Sequence, residues 1–278
     1  MERSEIVDRY LQALSLSNRS LDLGFLQEVT KRHVATFAFS SVGCRLGDEL
    51  PLDLESLCNR IVDQRRGGYC FEQNGLLYEV LEELGFSVEL YLARVIYDQD
   101  VHPGLTHRIT MVALEGQRYV VDVGFGGLGP RVPVPMSKQV STDGDRRFRI
   151  TEPRAGEFHM QVYKDDAFFT LYRFELARYG QADCELGHFY SHRHPAAAFV
   201  NHLVVSLIMD HEVRSLRDLE YWIIDRTGAR KQTVEDADQL GRILADDFGL
   251  RITQAETIHL YESSHSSRDS GSGSTETS

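Results

Sequence analysis

The feature that most constrains the fold is a change of hydrophobic period near Gly85. Before it the apolar residues recur at helical spacing. Leu54, Leu57 and Ile61 follow Asp53, a residue suited to cap a helix N-terminus. A stronger helix is predicted to begin at Gly67-Gly68-Tyr69-Cys70 and to carry Leu76, Leu77, Val80, Leu81 and Leu84, with Gly85 as its stop. After Gly85 the texture is β-branched and aromatic: Val88 to Tyr97, His107 to Leu114, Arg118 to Val123, Arg147 to Thr151, Phe158 to Tyr163 and Phe168 to Phe174 all read as strands. From about Asn201 the pattern is mixed, with strands at His202 to Met209 and Tyr221 to Thr227 and a helix over Val234 to Phe248. Helices followed by strands exclude an all-helical bundle and indicate an α+β chain of several modules. The expected divisions are helices over 1–85, a β-barrel or curved sheet over 86–200, an α/β module over 201–262 and a disordered Ser/Gly-rich tail over 263–278.

Composition bears on partners. The 278 residues carry 42% hydrophobic side chains, enough for a real core, and a formal charge of −12. So acidic a chain lacks the footprint of a nucleic-acid or anionic-membrane binder, although a few local cations can still hold an anionic ligand. The opening MERSEIVDRYLQAL reads as an amphipathic helix with no apolar signal region, and no apolar run reaches the length of a membrane span. A cytoplasmic protein, monomeric or weakly self-associating, is expected. Cys44, Cys58, Cys70 and Cys184 are widely spaced and read as reduced thiols.

The stretch Arg65 to Asn74 is the most informative. Its two glycines permit a tight turn that delivers Cys70 into the first turn of a helix. There unpaired N–H groups and the positive end of the helix dipole favour a thiolate. A free cysteine is also often a small buried hydrophobe, so Cys70 needs partners to count as a nucleophile. The stretch from His107 to Asp122 supplies a base and a group to orient it. If Glu115-Gly116 is a two-residue turn, Leu114 faces Gln117 and paired positions sum to 231. His107 and Asp122 then lie one diagonal step apart on the same face. His102 is a rival base but precedes a proline and has no hairpin partner. The glycine-rich Val123 to Pro130 can bring backbone N–H groups close to a ligand, without the pattern of a dinucleotide site. Cys184, His188, His192 and His194 cluster within eleven residues, but C-x3-H-x3-H-x-H is not a common zinc spacing. The cluster reads as chance or as an exposed loop, and no metal is expected.

Arg66-Gly67-Gly68-Tyr69-Cys70 with Glu72 and Asn74 resembles the signature of the arylamine N-acetyltransferase family. Thr106-His107 before an alternating strand, and Val121-Asp122-Val123-Gly124-Phe125-Gly126-Gly127, resemble its other two catalytic segments. Tyr172 to Leu176 and Pro195 to Asn201 also match, so that the likeness spans roughly residues 5 to 260. The resemblance implies an N-terminal helical bundle, a central β-barrel and a C-terminal α/β lid around a cysteine-protease-like Cys-His-Asp core. It implies Cys70, His107 and Asp122 as the triad, with Thr106, Phe125 and Gly126 against the cofactor. Phe39, Phe125 and Phe199 would wall the substrate pocket. The implied reaction is acetyl-CoA-dependent N-acetylation of arylamines and arylhydrazines, by a ping-pong route through a thioester on Cys70. Lacking a long insertion found in vertebrate members, the chain resembles the bacterial type. One departure stands out: where the family has a glutamate that pairs with the arginine of its signature, here Arg66, this chain has Ser40. The nearest alternative within the resemblance is an amide synthase. A cysteine peptidase or transglutaminase shares the triad order, and a binding protein without turnover is the non-enzyme reading.

Overall fold

A computed structural model describes residues 2–271. The amphipathic opening forms α1 (Arg3–Ala13), and α2 (Leu23–Thr36) begins where the Asp22 side chain accepts the Phe25 N–H. Strand β1 (Phe39–Ser40) and α3 (Val42–Leu46) follow. Asp53 caps α4 (Leu54–Cys58) as expected, and the chain widens into a π turn over Asn59–Asp63. Helix α5 (Cys70–Glu83) starts at the cysteine. Its Leu76, Leu77, Val80 and Leu81 stripe packs against Tyr10, Leu11, Leu26, Val29, Leu57 and Ile61 in one apolar core. That burial, about 1.5–3 kcal/mol for each large side chain, fixes the helix whose first turn holds Cys70.

Beyond Gly85 the chain forms β2 (Ser87–Val95), β3 (His107–Leu114), β4 (Gln117–Val121), β5 (Val134–Pro135), β6 (Ser141–Asp143), β7 (Arg146–Arg154), β8 (Glu157–Lys164) and β9 (Ala167–Glu175). They make one antiparallel sheet in the order β5-β4-β3-β2-β9-β8-β7-β6. Contact between β5 and β7 curls it into a nearly closed barrel around Ile109, Met111, Phe148, Met160 and Leu171. In the β3–β4 hairpin Leu114 faces Gln117 and Thr110 faces Val121, the expected register. Glu115 and Gly116 both have positive φ (52° and 77°), as a two-residue turn compatible with strand twist requires.

Helices α6 (Gln181–Arg193) and α7 (Ala198–Asn201) lead into β10 (Val204–Ile208), β11 (Glu212–Arg217), β12 (Glu220–Asp225) and β13 (Gly228–Thr233). The second sheet has the order β1-β10-β11-β12-β13, with Phe39 facing Ser206, so β1 ties the helical N-terminal region to the last sheet. The expected helix over 234–248 is α8 (Ala237–Arg242) plus a π turn to Asp247. Three findings depart from the sequence reading. The loop expected around Cys184 to His194 is helix α6, because its inward side is Cys184, Gly187, His188 and Ser191 while Leu186 and Phe189 point outward. Strand β13 was not foreseen because all six of its residues are exposed and show no alternation. Helix α9 (Gln254–Gly271) runs into the segment expected to be a disordered tail, with Leu260 and Ser264 buried; residues 272–278 lie outside those described. No helix among the described residues is long and apolar enough to cross a membrane.

Candidate active site

Three elements deliver three side chains to one point. Cys70 opens α5, His107 opens β3, and Asp122 follows the last paired residue of β4. All three are buried. His107 Nε2 donates to Asp122 Oδ2 at 2.8 Å, which leaves Nδ1 for the thiol of Cys70, with which the imidazole also interacts. The Cys70 Sγ lies 3.4 Å from the carbonyl oxygen of Thr106. The carboxylate is held in turn: Asp122 Oδ1 accepts from Asn74 Nδ2 at 2.8 Å and from the Gly124 N–H at 3.0 Å. Asn74 also donates to the Arg108 carbonyl and accepts the Val123 N–H, so one amide locks α5, β3 and the loop after β4 together. The position one turn after Cys70 was visible in the sequence; its task was not. Gly124 is required here, because a Cβ would come within 2.7 Å of both the Cys70 Cα and Asn74 Nδ2.

Burial alone would lower the proton affinity of His107. The Asp122 charge, its hydrogen bond and the nearby thiol outweigh burial and raise the pKa from 6.5 to about 10. For Asp122 burial acts upward, but His107, Asn74 and the Gly124 N–H hold it below the ordinary carboxylate value. The held carboxylate thus strengthens His107 as a base, a geometry that can take a thiol proton and then hold it.

A cavity of about 350 Å³ opens above Cys70 and His107. Phe39, Phe125, Phe199 and Thr106 line it, together with Val95, Tyr97 and Tyr190. The Phe125 ring stands edge-on to His107 at 5.3 Å, and Phe39 and Phe199 meet at 5.6 Å. Of the five contact residues expected beside the triad, Thr106, Phe125, Phe39 and Phe199 line this cavity. Gly126 faces not the cavity but an adjoining crevice shared with Phe39 and Ser206. His102, the rival base, receives a hydrogen bond from Arg173 and does not line the cavity.

Behind Cys70 lies a second polar cluster. Arg66 forks onto Glu256 of α9 through bonds of 2.8 and 2.9 Å, with Asp48 at 3.4 Å. The hydrogen bond from Arg66 leads in lowering the Glu256 pKa to about 2. The partner that Ser40 does not supply therefore comes from the C-terminal helix. Ser40 Oγ instead accepts the Val42 N–H, and Gly67 (φ 67°) leaves no room for a Cβ beside Ser40 and the Ala38 carbonyl. Glu72 caps α5 by accepting the Tyr69 N–H. Arg60 Nε lies 2.9 Å from Glu72 Oε1, and burial outweighs that opposing cation to bring Glu72 up to about 7. His188 spends both ring nitrogens, one on the Tyr69 hydroxyl and one on the Leu50 carbonyl, so neither is left for a metal. Among the described residues no group of three or more His, Cys, Asp or Glu is placed to hold a metal ion.

The model of an N-acetyltransferase family matches residues 22–257. The arylamine N-acetyltransferase of Escherichia coli K12 is 30% identical over 256 residues, covering 90% of this chain and 91% of that protein. That of Mycolicibacterium smegmatis is 34% identical over 251 residues, covering 87% and 90%. The solved structure of the Mycobacterium marinum arylamine N-acetyltransferase in complex with CoA superposes with a TM-score of 0.87 at 28% identity, over 92% of this chain and 98% of that one. By sequence over most of its length, and by a mixed helix and barrel fold matching those enzymes, this chain belongs to the arylamine N-acetyltransferase family.

Proposed function

We propose that this chain transfers the acetyl group of acetyl-CoA to the nitrogen of an arylamine or arylhydrazine through a thioester on Cys70. The observation that carries the proposal is Cys70 beside an imidazole whose other nitrogen is fixed 2.8 Å from a buried carboxylate, at the floor of an aromatic-walled cavity. In the first half-reaction His107 takes or holds the thiol proton, and Cys70 Sγ attacks the acetyl carbonyl. The bond from that carbon to the CoA sulfur breaks, and CoA leaves as its thiol with the proton from His107. In the second, the amine nitrogen attacks the acetyl-Cys70 carbonyl. The C–S bond breaks, and the proton lost by nitrogen returns to the His107–Cys70 pair. Because the thioester formed is close in energy to the one consumed, neither half-reaction is strongly uphill. The rings of Phe39, Phe125 and Phe199 give a flat aromatic acceptor edge and face contacts while excluding water from the thioester.

A second cleft, of about 580 Å³, lies at the far end of the glycine-rich loop; Arg131, Arg146, Lys164 and Arg226 line it together with Asp143, Asp145, Asp210, Glu212 and Asp225, and Arg131 and Arg226 are paired with these carboxylates. Arg146 Nη1 is buried there without a partner, and such an orphaned donor suits a phosphate oxygen. Residence in the cytoplasm as a monomer or weak oligomer belongs to the same proposal.

The test is CoA release from acetyl-CoA with and without a panel of aromatic amines and hydrazines, comparing the native chain with Cys70→Ala. Amine-dependent release, an acetyl adduct on Cys70 in the absence of amine, and loss of both in the variant are expected. A folded native chain that releases no CoA with any amine would sink the proposal.

A further inference from the structure

Behind Cys70 runs a row of charges that the acetyl-transfer steps do not use. It begins at Glu72, buried in the first turn of α5, where Oε1 lies 2.9 Å from Arg60 Nε. Arg60 Nη1 is 3.2 Å from Asp48, Asp48 is 3.4 Å from Arg66 Nη2, and Arg66 ends on Glu256 of α9 at 2.8 Å. Groups of alternating sign thus join the first turn of the helix that carries Cys70 to the C-terminal helix. All but Glu256 belong to the helical N-terminal region.

The stretch from Arg65 to Gly68, just ahead of the cysteine, is where these charges act. Arg65 has a φ of 54° and Gly67 of 67°. A left-handed conformation costs a residue with a side chain about 1–3 kcal/mol, and it persists only where the surroundings impose it. Two ties from the C-terminal region do so here. The Arg251 N–H donates to the Arg65 carbonyl at 2.9 Å, and Glu256 receives the Arg66 guanidinium in a fork of 2.8 and 2.9 Å. A charged fork fixes direction as well as distance. On the other side the Gly68 carbonyl accepts the Ser40 N–H at 2.8 Å, and Cys70 follows at the start of α5.

Glu256 also has a structural task. Its Oε2 accepts the Thr253 N–H at 2.9 Å and the Thr253 hydroxyl at 2.8 Å, which caps α9. A cap needs an acceptor and not a charge, so substitution separates the two tasks. Glu256→Gln keeps an oxygen for Thr253 but loses the charged fork. Thr253→Ala loses the hydroxyl but leaves the fork.

We propose that Glu256 is a positioning residue for acetyl transfer: through Arg66 it sets the turn that aims Cys70 at His107, so that the C-terminal helix governs the reactivity of the thiol as well as the stability of the fold. The inference rests on the reading of Cys70 as the nucleophile.

The experiment compares the native chain with Glu256→Gln, Arg66→Lys, their double variant and Thr253→Ala. Single-turnover CoA release from acetyl-CoA is measured, together with iodoacetamide alkylation at the Cys70 peptide as a function of pH. Glu256→Gln should slow CoA release about tenfold or more, as a small displacement of a reacting group does. It should also move the alkylation profile toward higher pH, because a thiol turned from His107 loses the base that takes its proton. Arg66→Lys keeps the cation but breaks the fork, and should repeat both effects. The double variant should be no slower than the slower single variant, since the two residues act through one contact. Thr253→Ala should lower the urea midpoint while leaving both readouts within about twofold of native. If Glu256→Gln releases CoA within about twofold of native with an unmoved alkylation profile, if Thr253→Ala loses as much, or if the two single losses multiply, the inference is overturned while acetyl transfer stands. A native chain that releases no CoA would remove the reading of Cys70 itself, and this inference with it.

Discussion

His107 interacts with Cys70 and His188 with the neighbouring Tyr69, and both are buried, at 2% and 7% exposure. Both use their ring nitrogens fully, yet their proton affinities move in opposite directions. His188 meets a phenol and a backbone carbonyl, neither charged. Burial, seconded by His192, takes its pKa down to about 4. His33 repeats the arrangement between Tyr10 and Gln73, and burial again brings the value to about 4. His107 is more deeply buried but faces Asp122, a carboxylate already fixed by Asn74 and the Gly124 N–H, and rises to about 10. Burial by itself makes a neutral structural imidazole. A held carboxylate on one nitrogen and an open cavity near the other make a reactive one.

The largest expected effect sits on the reactive side. Asp122→Asn keeps the shape but removes the charge, and should slow acetylation of Cys70 by about 10³-fold or more in single-turnover CoA release. A loss below tenfold would show that His107 needs only burial and orientation, erasing the contrast with His188. Next comes Arg66→Ala, which strands Glu256 and Asp48 behind the cysteine and should lower stability by about 2–3 kcal/mol in urea unfolding. An unchanged midpoint would mean that α9 does not brace the loop before Cys70. His188→Ala should cost about 2 kcal/mol by the same measurement, from the unpaired Leu50 carbonyl and the loss of the imidazole acceptor of the Tyr69 hydroxyl, with kcat/KM within about threefold of native. A catalytic loss approaching that of Asp122→Asn would break the comparison.

A final effect is in pH dependence. His188 and His33 have folded values below the unfolded 6.5, so the folded state binds fewer protons and their contribution is lost as pH falls from 6.5 through about 4. His107 has a raised folded value, so its contribution is complete below 6.5 and is lost as pH rises toward about 10. The deficit of His188→Ala should therefore shrink by about 2 kcal/mol between pH 7 and pH 5, whereas that of Asp122→Asn should shrink on the alkaline side. A deficit that stays constant over both ranges would contradict the opposite protonation of the two imidazoles.

Much of the site was legible locally. The hairpin from His107 to Asp122 was readable because a two-residue turn fixes register, and register decides which side chains share a face. Cys70 at a helix start followed from two glycines ahead of an apolar stripe. The function of Asn74 was not readable, since its three partners come from β3 and the loop after β4. Helix α6 was missed because its inward face is small and polar where it meets the core, the reverse of the usual amphipathic pattern. Strand β13 left no pattern because backbone pairing with β12 alone holds it.

The sequence by itself therefore determined the helix that presents Cys70 and the hairpin that pairs His107 with Asp122. These rest on periodicity and turn geometry, which act between near neighbours. Only the tertiary structure decided that Cys70 meets a histidine 37 residues away. It also decided that Glu256, out of 42 acidic residues, answers Arg66. Nothing in a local pattern ranks one distant charge above another; the packing of α9 against the loop before Cys70 does, by fixing which pair is both close and shielded from water.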